Sequence, residues 1–307
     1  MASRRTRWFG ALLAAWCVLA VASCGGGATS EPTPSPVANQ TVVEFPGLAQ
    51  PAGFGVDGAG NLYVLDNAGC CAPPVRVLKL AKGSAAPQVL PFTGLSFAAE
   101  KLSVDPSGNV LVLDGGRVVS LMNGAATSTE LNPESGPASQ AGGVAACCGG
   151  KAYIIAADGV WLVGADGARQ QLPFTGLDGP RVSAADVSGA LYVVDTNPEL
   201  HDATAQDRNR VLKLAPGAAG IAVVAKYGRA GEFEPVAVAA ADSTVYVADS
   251  AQRRVLAFGA DGAEPTTMPF TGLQAPAGLG VDAQGGLYVF DSSTGRVLIL
   301  DQSAGDR

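Results

Sequence analysis

Two pairs of adjacent cysteines, Cys70–Cys71 and Cys147–Cys148, are the most nucleophilic side chains in the body of the chain. Four thiolates brought together could bind zinc. Taken separately, each pair could close a vicinal disulfide or act as a redox pair, although the spacing is CC and not the CxxC of thiol oxidoreductases. The choice depends on where the fold places the two pairs.

A single histidine, His201, limits the catalytic chemistry open to the chain. One imidazole cannot build a histidine-rich zinc site. A Ser-His-Asp triad would have to use His201 alone, and no GxSxG motif supplies a nucleophile. We therefore assign no catalytic residue and no cofactor from the sequence.

Aspartate and arginine recur together at five places along the chain. The pairs are Asp66 with Arg76, Asp114 with Arg117, Asp195 with Arg210, Asp249 with Arg254, and Asp291 with Arg296. In a sixth, related segment Ala156 replaces the aspartate and Gly159 the arginine. Because the two residue types are present together and lost together, we expect ion pairs that brace the loop between the second and third strands of a repeating unit. Fivefold recurrence indicates a structural role.

An internal repeat of short strands positions these side chains. Each aspartate ends an apolar strand such as LYVLD or LYVFD, and successive strands of this kind end 39–54 residues apart. That spacing is typical of one four-stranded propeller blade. The string PFTGL recurs at 91–95, 173–177 and 269–273, with a degenerate EFPGL at 44–48. Its Pro and Phe end an outer strand and its Thr-Gly turns the chain, so we interpret it as the joint between blades.

The repeat predicts an all-β fold, a six-bladed β-propeller. The last unit has three strands and stops at RVLILDQ, whereas QTVVEFPGL, at 40–48, has the form of a missing fourth strand. Pairing these two segments leaves no open sheet edge. We therefore predict a ring closed by the N-terminal strand.

The repeat resembles the NHL family, most clearly in GVDAQGGLYVFDSSTGRVLIL at 280–300. The combination of PFTGL, GVD, LYV and RVLKLA is similar to the extracellular sensor domain of a mycobacterial transmembrane Ser/Thr kinase. The resemblance covers about residues 41–301 and is weaker in the second and third units. It implies an NHL-like propeller that acts as a sensor.

Related six-bladed enzymes imply an alternative function. Amidating lyases related to the NHL family bind zinc through several histidines, which this chain lacks. Lactonases of the gluconolactonase type hold a divalent metal in the axial channel. The residues expected to enter that channel here are Ala52, Glu100, Gly142, Arg181, Val236 and Ala277. One acid and one cation make a poor site for a hard metal, so we predict no metal and keep a metal-dependent lactonase or lyase as the alternative.

The predicted topology separates the two cysteine pairs. Cys70–Cys71 lie between second and third strands, and Cys147–Cys148 lie between first and second strands. Those loops fall on opposite faces of a blade, about 17–20 Å apart, whereas a disulfide needs Cα atoms within about 7 Å. We therefore expect two vicinal disulfides with a structural role, and a redox role as the alternative.

The first residues have the pattern of an export signal. Arg4, Arg5 and Arg7 precede the apolar run WFGALLAAWCVLAVA, and VASC ends at Cys24. The ending resembles the bacterial lipobox, which implies cleavage before Cys24 and a lipid on its sulfur. Residues 25–40, rich in Gly, Pro, Ser and Thr, are expected to form a tether. We predict a signal peptide at 1–23, the lipidated cysteine and tether at 24–40, and the propeller at 41–307.

The net negative charge of the chain argues against nucleic acid as a partner. Without the three leader arginines, the 20 basic residues fall to 17 against 27 acidic ones. Such an acidic chain is repelled by nucleic acid. We expect a non-catalytic binding or sensing module, held by its lipid on the extracytoplasmic face of the bacterial membrane, with a protein or cell-wall ligand. The candidate binding loops are two insertions on the Asp–Arg face, with candidate residues Asn67, Pro73, Pro74, Glu199, His201, Asp202 and Asp207.

Overall fold

The computed structural model describes residues 40–67, 75–132, 141–177, 179–196, 209–228, 232–241, 243–259 and 264–302. These residues form 24 β-strands and one 3₁₀ turn, Cys148–Gly150. Within these ranges, no helix has the length and apolar character needed to cross a membrane. The apolar, β-branched composition of the repeated strands suits the pleated, packed positions that they occupy.

The strands form six antiparallel sheets of four, which are the predicted blades. Strand β1 (Gln40–Glu44) comes first. Blade 1 contains β2 (Pro51–Val56), β3 (Leu62–Asp66), β4 (Arg76–Leu80) and β5 (Gln88–Val89). Blade 2 contains β6 (Ala99–Val104), β7 (Val110–Asp114), β8 (Arg117–Leu121) and β9 (Thr129–Glu130). Blade 3 contains β10 (Ala141–Cys147), β11 (Lys151–Ala156), β12 (Gly159–Val163) and β13 (Arg169–Gln171). Blade 4 contains β14 (Pro180–Ala185), β15 (Leu191–Thr196), β16 (Asn209–Leu214) and β17 (Ala222–Tyr227). Blade 5 contains β18 (Pro235–Ala241), β19 (Thr244–Asp249), β20 (Arg254–Phe258) and β21 (Thr266–Thr267). Blade 6 contains β22 (Pro276–Val281), β23 (Leu287–Asp291) and β24 (Arg296–Leu300), with β1 as its outer strand.

The N-terminal strand closes the ring, which confirms the predicted fold. Strand β1 pairs antiparallel with β24, and the register runs from Gln40 opposite Leu300 to Glu44 opposite Arg296. The Gln40 side chain also holds the last joint: its Oε1 accepts from the Thr271 amide at 2.8 Å and its Nε2 donates to the Thr271 carbonyl at 3.1 Å. First and last segments therefore share one sheet, so the closing blade is a complete four-stranded sheet.

The apolar core lies between the blades. Each described hydrophobic cluster joins two neighbouring blades, and the clusters together follow the whole ring. Middle strands such as β3 and β23 are buried along their full length because they pack on a blade at either side. This explains why LYVLD and LYVFD are continuously apolar and do not alternate with polar residues.

Buried aspartates stabilise the turns between first and second strands. Oδ1 of Asp57 accepts from the amides of Ala59 and Asn61 at 3.0 and 2.9 Å, while its Oδ2 accepts from the Tyr63 hydroxyl at 2.8 Å. The aspartates that cap the corresponding turns of blades 2, 4 and 6 are Asp105, Asp186 and Asp282. The turns also link neighbouring blades, since the Gly58 amide donates to the Pro106 carbonyl at 2.9 Å. This turn face lies opposite the Asp–Arg face.

Candidate ligand-binding channel

An axial cavity of about 270 Å³ runs between the inner strands of all six blades. The first strand of each blade, namely β2, β6, β10, β14, β18 and β22, contributes lining residues. A volume of this size is close to the lower end of the range for small-molecule sites. The channel is therefore a space in which the described part of the chain could hold a small ligand.

Every inner strand begins with a β-bulge at the Asp–Arg face. The pairing register skips one residue after the first position of each inner strand. The skipped residues are Ala52, Glu100, Gly142, Arg181, Val236 and Ala277. These are the six residues expected to enter the channel. Of them, Ala52, Glu100, Val236 and Ala277 line the cavity. A bulge leaves its extra residue outside the ladder and redirects its side chain, so the repeat itself builds this rim.

Two charged residues from blade 2 lie at the rim of the channel. Among the described lining residues, Glu100 and Lys101 are the charged ones. Glu100 is exposed, and Lys101 Nζ donates to the Gly142 carbonyl at 2.6 Å, which ties blade 2 to blade 3. Glu100 was predicted from the sequence and Lys101 was not. The β-bulge that brings both side chains to the rim depends on how the strands pair, which residue types alone do not reveal. The rim therefore offers an exposed carboxylate beside an ammonium group already in contact with a carbonyl.

Apolar side chains and inter-blade contacts form the deeper wall. Phe54, Leu102 and Val144 lie along this wall, as does the backbone of the strands that carry them. The hydroxyl of Ser103 accepts from the Ala146 amide at 2.8 Å, and that of Ser183 donates to the Val144 carbonyl at 3.3 Å. Each serine hydroxyl thus forms a hydrogen bond between the inner strands of neighbouring blades. In the described ranges, no group of three or more His, Cys, Asp or Glu side chains could hold a metal ion.

Four of the five Asp–Arg pairs are in contact in the structure. Arg76 donates to Asp66 Oδ2 from Nε at 3.1 Å and from Nη2 at 2.8 Å. The other ion pairs are Asp114–Arg117 at 2.5 Å, Asp195–Arg210 at 2.6 Å and Asp249–Arg254 at 3.1 Å. In blade 3 the replacing residues Ala156 and Gly159 lie opposite each other in register.

Each contacting pair joins the end of the second strand to the start of the third, and in blade 1 the pair also braces the preceding joint between blades. Asp66 Oδ1 accepts from the amides of Ala49 and Gln50, at 3.0 and 2.7 Å. Arg76 Nη2 donates to the Gly47 carbonyl at 2.7 Å. Both charged groups therefore reach the preceding joint, because the joint returns to the axis directly over the end of the second strand. The repeated Gly of the joint supplies the carbonyl that the arginine needs.

The sixth blade departs from this pattern. Asp291 lies opposite Arg296 in register, but no ion pair joins them in the described structure. The carboxylate instead accepts from the Ser293 hydroxyl and from the amides of Ser293, Gln274 and Ala275. Burial raises the pKa of Asp291, but these hydrogen bonds together outweigh it and hold the pKa below its usual range. Arg296 Nε is buried without a hydrogen-bond partner.

One candidate loop residue is described. Asn67 follows β3 and donates from Nδ2 to the Phe97 carbonyl at 2.9 Å, which fixes the start of the blade 1 loop against the joint to blade 2. Its Oδ1 is buried without a partner. The remaining candidates, Pro73, Pro74, Glu199, His201, Asp202 and Asp207, lie outside the described residues, as does Cys24.

The predicted disulfide between Cys147 and Cys148 is absent, which is a correction to the sequence interpretation. Both residues are free thiols, with their sulfur atoms 3.2 Å apart, well beyond the S–S bond length of about 2.05 Å. Cys147 ends an extended strand and Cys148 begins the 3₁₀ turn, so the backbone completes the turn without a covalent bridge. Cys70 and Cys71 lie outside the described residues.

The fold and channel define a six-bladed β-propeller. No family model matches the chain. One segment of 98 residues is 37% identical to the serine/threonine-protein kinase PknD of Mycobacterium tuberculosis, and it covers 30% of this chain and 14% of that protein. The likeness to the kinase thus spans a small part of that protein's length.

Solved propellers share the fold at low sequence identity. Virginiamycin B lyase from Staphylococcus aureus superposes with a TM-score of 0.54 at 13% identity, over 82% of this chain and 81% of that one. A streptogramin B lyase gives 0.56 at 13% identity, over 85% and 97%. A protein of unknown function from Bacteroides thetaiotaomicron gives 0.59 at 13% identity, over 85% and 76%. At this identity, the likeness describes architecture alone.

Proposed function

We propose that this protein is a non-catalytic binding or sensing propeller of the bacterial cell envelope, held at the membrane by a lipid on Cys24. Its ligand, a protein or cell-wall component, binds at the Asp–Arg face and reaches the rim of the axial channel. The observation that carries this proposal is the ring of bulges. It presents Glu100 at the rim, where the described side chains of Ala52, Val236 and Ala277 are small or apolar.

The chemistry of the rim suits binding more than catalysis. A single exposed carboxylate beside an apolar wall can orient a cationic group of a ligand. Lys101 already contacts the Gly142 carbonyl, and Ser103 and Ser183 are engaged between blades. The described rim therefore offers no nucleophile paired with a base. The partial likeness to PknD and the resemblance to a sensor domain support the same proposal.

Ligand binding is tested by thermal unfolding of the full chain with purified soluble muropeptides as the probe. We expect muropeptides to raise the melting temperature, with a rise that grows as the logarithm of their concentration above the dissociation constant, because a ligand that binds only the native state stabilises it. Glu100→Gln should remove that rise. Glu44→Gln, on the outer strand of blade 6, is the matched control and should retain it. A rise that survives in Glu100→Gln would place the site away from the channel rim.

Anchoring is tested separately by fractionating cells of the producing bacterium. The wild-type chain should partition with membranes and incorporate labelled palmitate, and Cys24→Ala should do neither. Palmitate label in Cys24→Ala would refute the lipid anchor at Cys24, and it would leave the binding proposal unaffected.

The alternative function is a metal-dependent lactonase or lyase that uses the channel. It is favoured by Glu100, a carboxylate at the rim of the channel, and by solved lyases that share the fold. Several oxygen ligands are needed for a hard cation, and the described lining residues supply one carboxylate. Calcium that raises the melting temperature, with reversal by EDTA and loss in Glu100→Gln, would favour this alternative.

A further inference from the structure

The two free thiols of blade 3 occupy a position that carries an aspartate in four other blades. Asp57, Asp186 and Asp282 each precede a buried tyrosine of the second strand by six residues, and Asp105 precedes Leu111 by the same interval. Cys147 precedes Tyr153 by six residues as well. Cys147 therefore stands in the slot of the turn-capping carboxylate, and Cys148 is the next residue of the turn.

The turn of blade 3 holds its shape without that cap. Where Asp57 accepts two backbone amides, no side-chain cap hydrogen bond is present at Cys147. Gly150, with φ of 73°, matches the glycine that follows each capping aspartate by three residues, and Gly149, with φ of 69°, is an additional residue in the conformation that glycine adopts without steric cost. No side chain caps this turn at Cys147, and the two sulfur atoms contact each other.

The sulfur atoms lie together and differ in exposure. They are 3.2 Å apart, and a Cβ placed on Gly189 of blade 4 would lie 3.5 Å from both of them. Cys147 is buried beside Tyr153, whereas Cys148 is exposed. Burial first, and then the hydrogen bond and charge of Cys148, raise the pKa of the Cys147 thiol to about 11. The pair thus combines a solvent-accessible thiol with a shielded thiol in direct contact.

We propose that Cys147 and Cys148 form a thiol–disulfide exchange site on the turn face, with small disulfides as its reactants. The Cys148 thiol gives its proton to solvent, and its thiolate attacks one sulfur of a disulfide RSSR. The S–S bond of RSSR breaks, RS⁻ leaves and takes up a proton, and a mixed disulfide remains on Cys148. Cys147 then loses its proton and attacks the Cys148 sulfur. The mixed disulfide breaks, and a second RS⁻ leaves and is protonated. The two cysteines lose two electrons, and RSSR becomes two RSH.

The geometry favours this order of attack. Access decides which thiol meets a disulfide from solution, and Cys148 is the exposed one. The mixed disulfide removes the negative charge of Cys148, which is one of the causes of the raised pKa of Cys147. Closure then requires the sulfur atoms to approach by only about 1 Å from their separation of 3.2 Å. This site lies at the opposite end of the inner strand from the Glu100 rim, next to Ala146 of the channel wall.

Peptide-resolved mass spectrometry of the full chain tests the proposal. The folded protein is incubated with mixtures of oxidised and reduced glutathione, quenched in acid, alkylated and digested with trypsin. Cleavage after Arg117 and Lys151 isolates both thiols in one peptide, apart from the remaining cysteines. As the oxidised fraction rises, we expect the doubly alkylated peptide to give way to an unalkylated disulfide form, two hydrogens lighter than the unalkylated dithiol peptide.

Single variants separate the roles of the two thiols. Cys147→Ser should stop at a glutathione adduct on Cys148, and Cys148→Ser should stay unmodified in the folded state. Cys147→Asp, which restores the residue of the other turns, should give the same adduct in a stably capped fold. Unmodified wild-type thiols at every glutathione ratio would overturn the proposal. So would an adduct on Cys148→Ser that forms as fast as on Cys147→Ser.

Discussion

Replacing Arg76 by methionine should destabilise the propeller much more than the same change at Arg296. Arg76 makes two hydrogen bonds to Asp66, whose carboxylate is fully buried, and one to the Gly47 carbonyl. Arg296 occupies the equivalent position in blade 6, but its Nε has no partner and Asp291 is satisfied by Ser293 and backbone amides. The two substitutions remove the same side chain from two different electrostatic environments.

The magnitude follows from the contacts. Removing one partner of a fully buried ion pair costs about 3–5 kcal/mol. The Arg76 side chain is 25% exposed, and two amides still donate to Asp66 after the change. Solvent around the guanidinium reduces the loss, so we expect about 2–3 kcal/mol for Arg76→Met. Arg296→Met loses the packing of its aliphatic stem only, and we expect less than about 1 kcal/mol.

Urea unfolding followed by far-UV circular dichroism gives both free energies by linear extrapolation. A loss of about 2–3 kcal/mol corresponds to a fall in melting temperature of about 4–12 °C in a domain of this size. The double variant Asp66→Asn/Arg76→Met should lose less than the sum of its single variants, since the two groups interact directly. Equal losses for Arg76→Met and Arg296→Met would refute the assignment of the joint contacts to the ion pair.

Three further predictions concern packing and pH. Gly278→Ala should lower the free energy of unfolding in urea by about 1–3 kcal/mol, because the added Cβ would lie 2.4 Å from Phe54 Cβ. Gly142→Ala is the control and should be near neutral, since the nearest atom to its added Cβ is 4.0 Å away. Burial and then the hydrogen bond to Asp57 raise the pKa of Tyr63 above its ordinary 10.0. The contribution of Tyr63 to the free energy of unfolding is therefore complete below pH about 10 and is lost as the pH rises further. Tyr63→Phe should flatten the alkaline part of a curve of stability against pH. The lowered pKa of Asp291 contributes stability that is complete above pH about 4 and is lost as the pH falls below that value. Ser293→Ala removes one hydrogen bond to this carboxylate, so acid unfolding should begin at a higher pH.

Much of the fold could be predicted because the spacing and the number of the repeated strands can be read directly from the sequence. The spacing of LYVLD-type strands sets the number of blades, and an unmatched strand at either end of the repeat can be satisfied only by ring closure. The rim positions of four blades were predictable for the same reason, since Ala52, Arg181 and Ala277 follow a joint by four residues and Glu100 follows one by five. Lys101 escaped prediction because a bulge admits the neighbour of the extra residue as well, and the bulge arises from strand pairing and not from residue type.

Cys147 shows how position within a repeat can outweigh residue chemistry. Considered as one of four thiols, it suggests a disulfide, yet its distance of six residues from Tyr153 places it in the slot of a capping aspartate. The consequence is physical: a thiol accepts hydrogen bonds weakly, so this turn lacks the side-chain cap that Asp57, Asp105, Asp186 and Asp282 give to the corresponding turns. Cys147→Asp should therefore raise the free energy of unfolding by about 1 kcal/mol, as a capping carboxylate does elsewhere. The native sequence forgoes that stabilisation and keeps two sulfur atoms side by side, which is the arrangement that an exchange site requires.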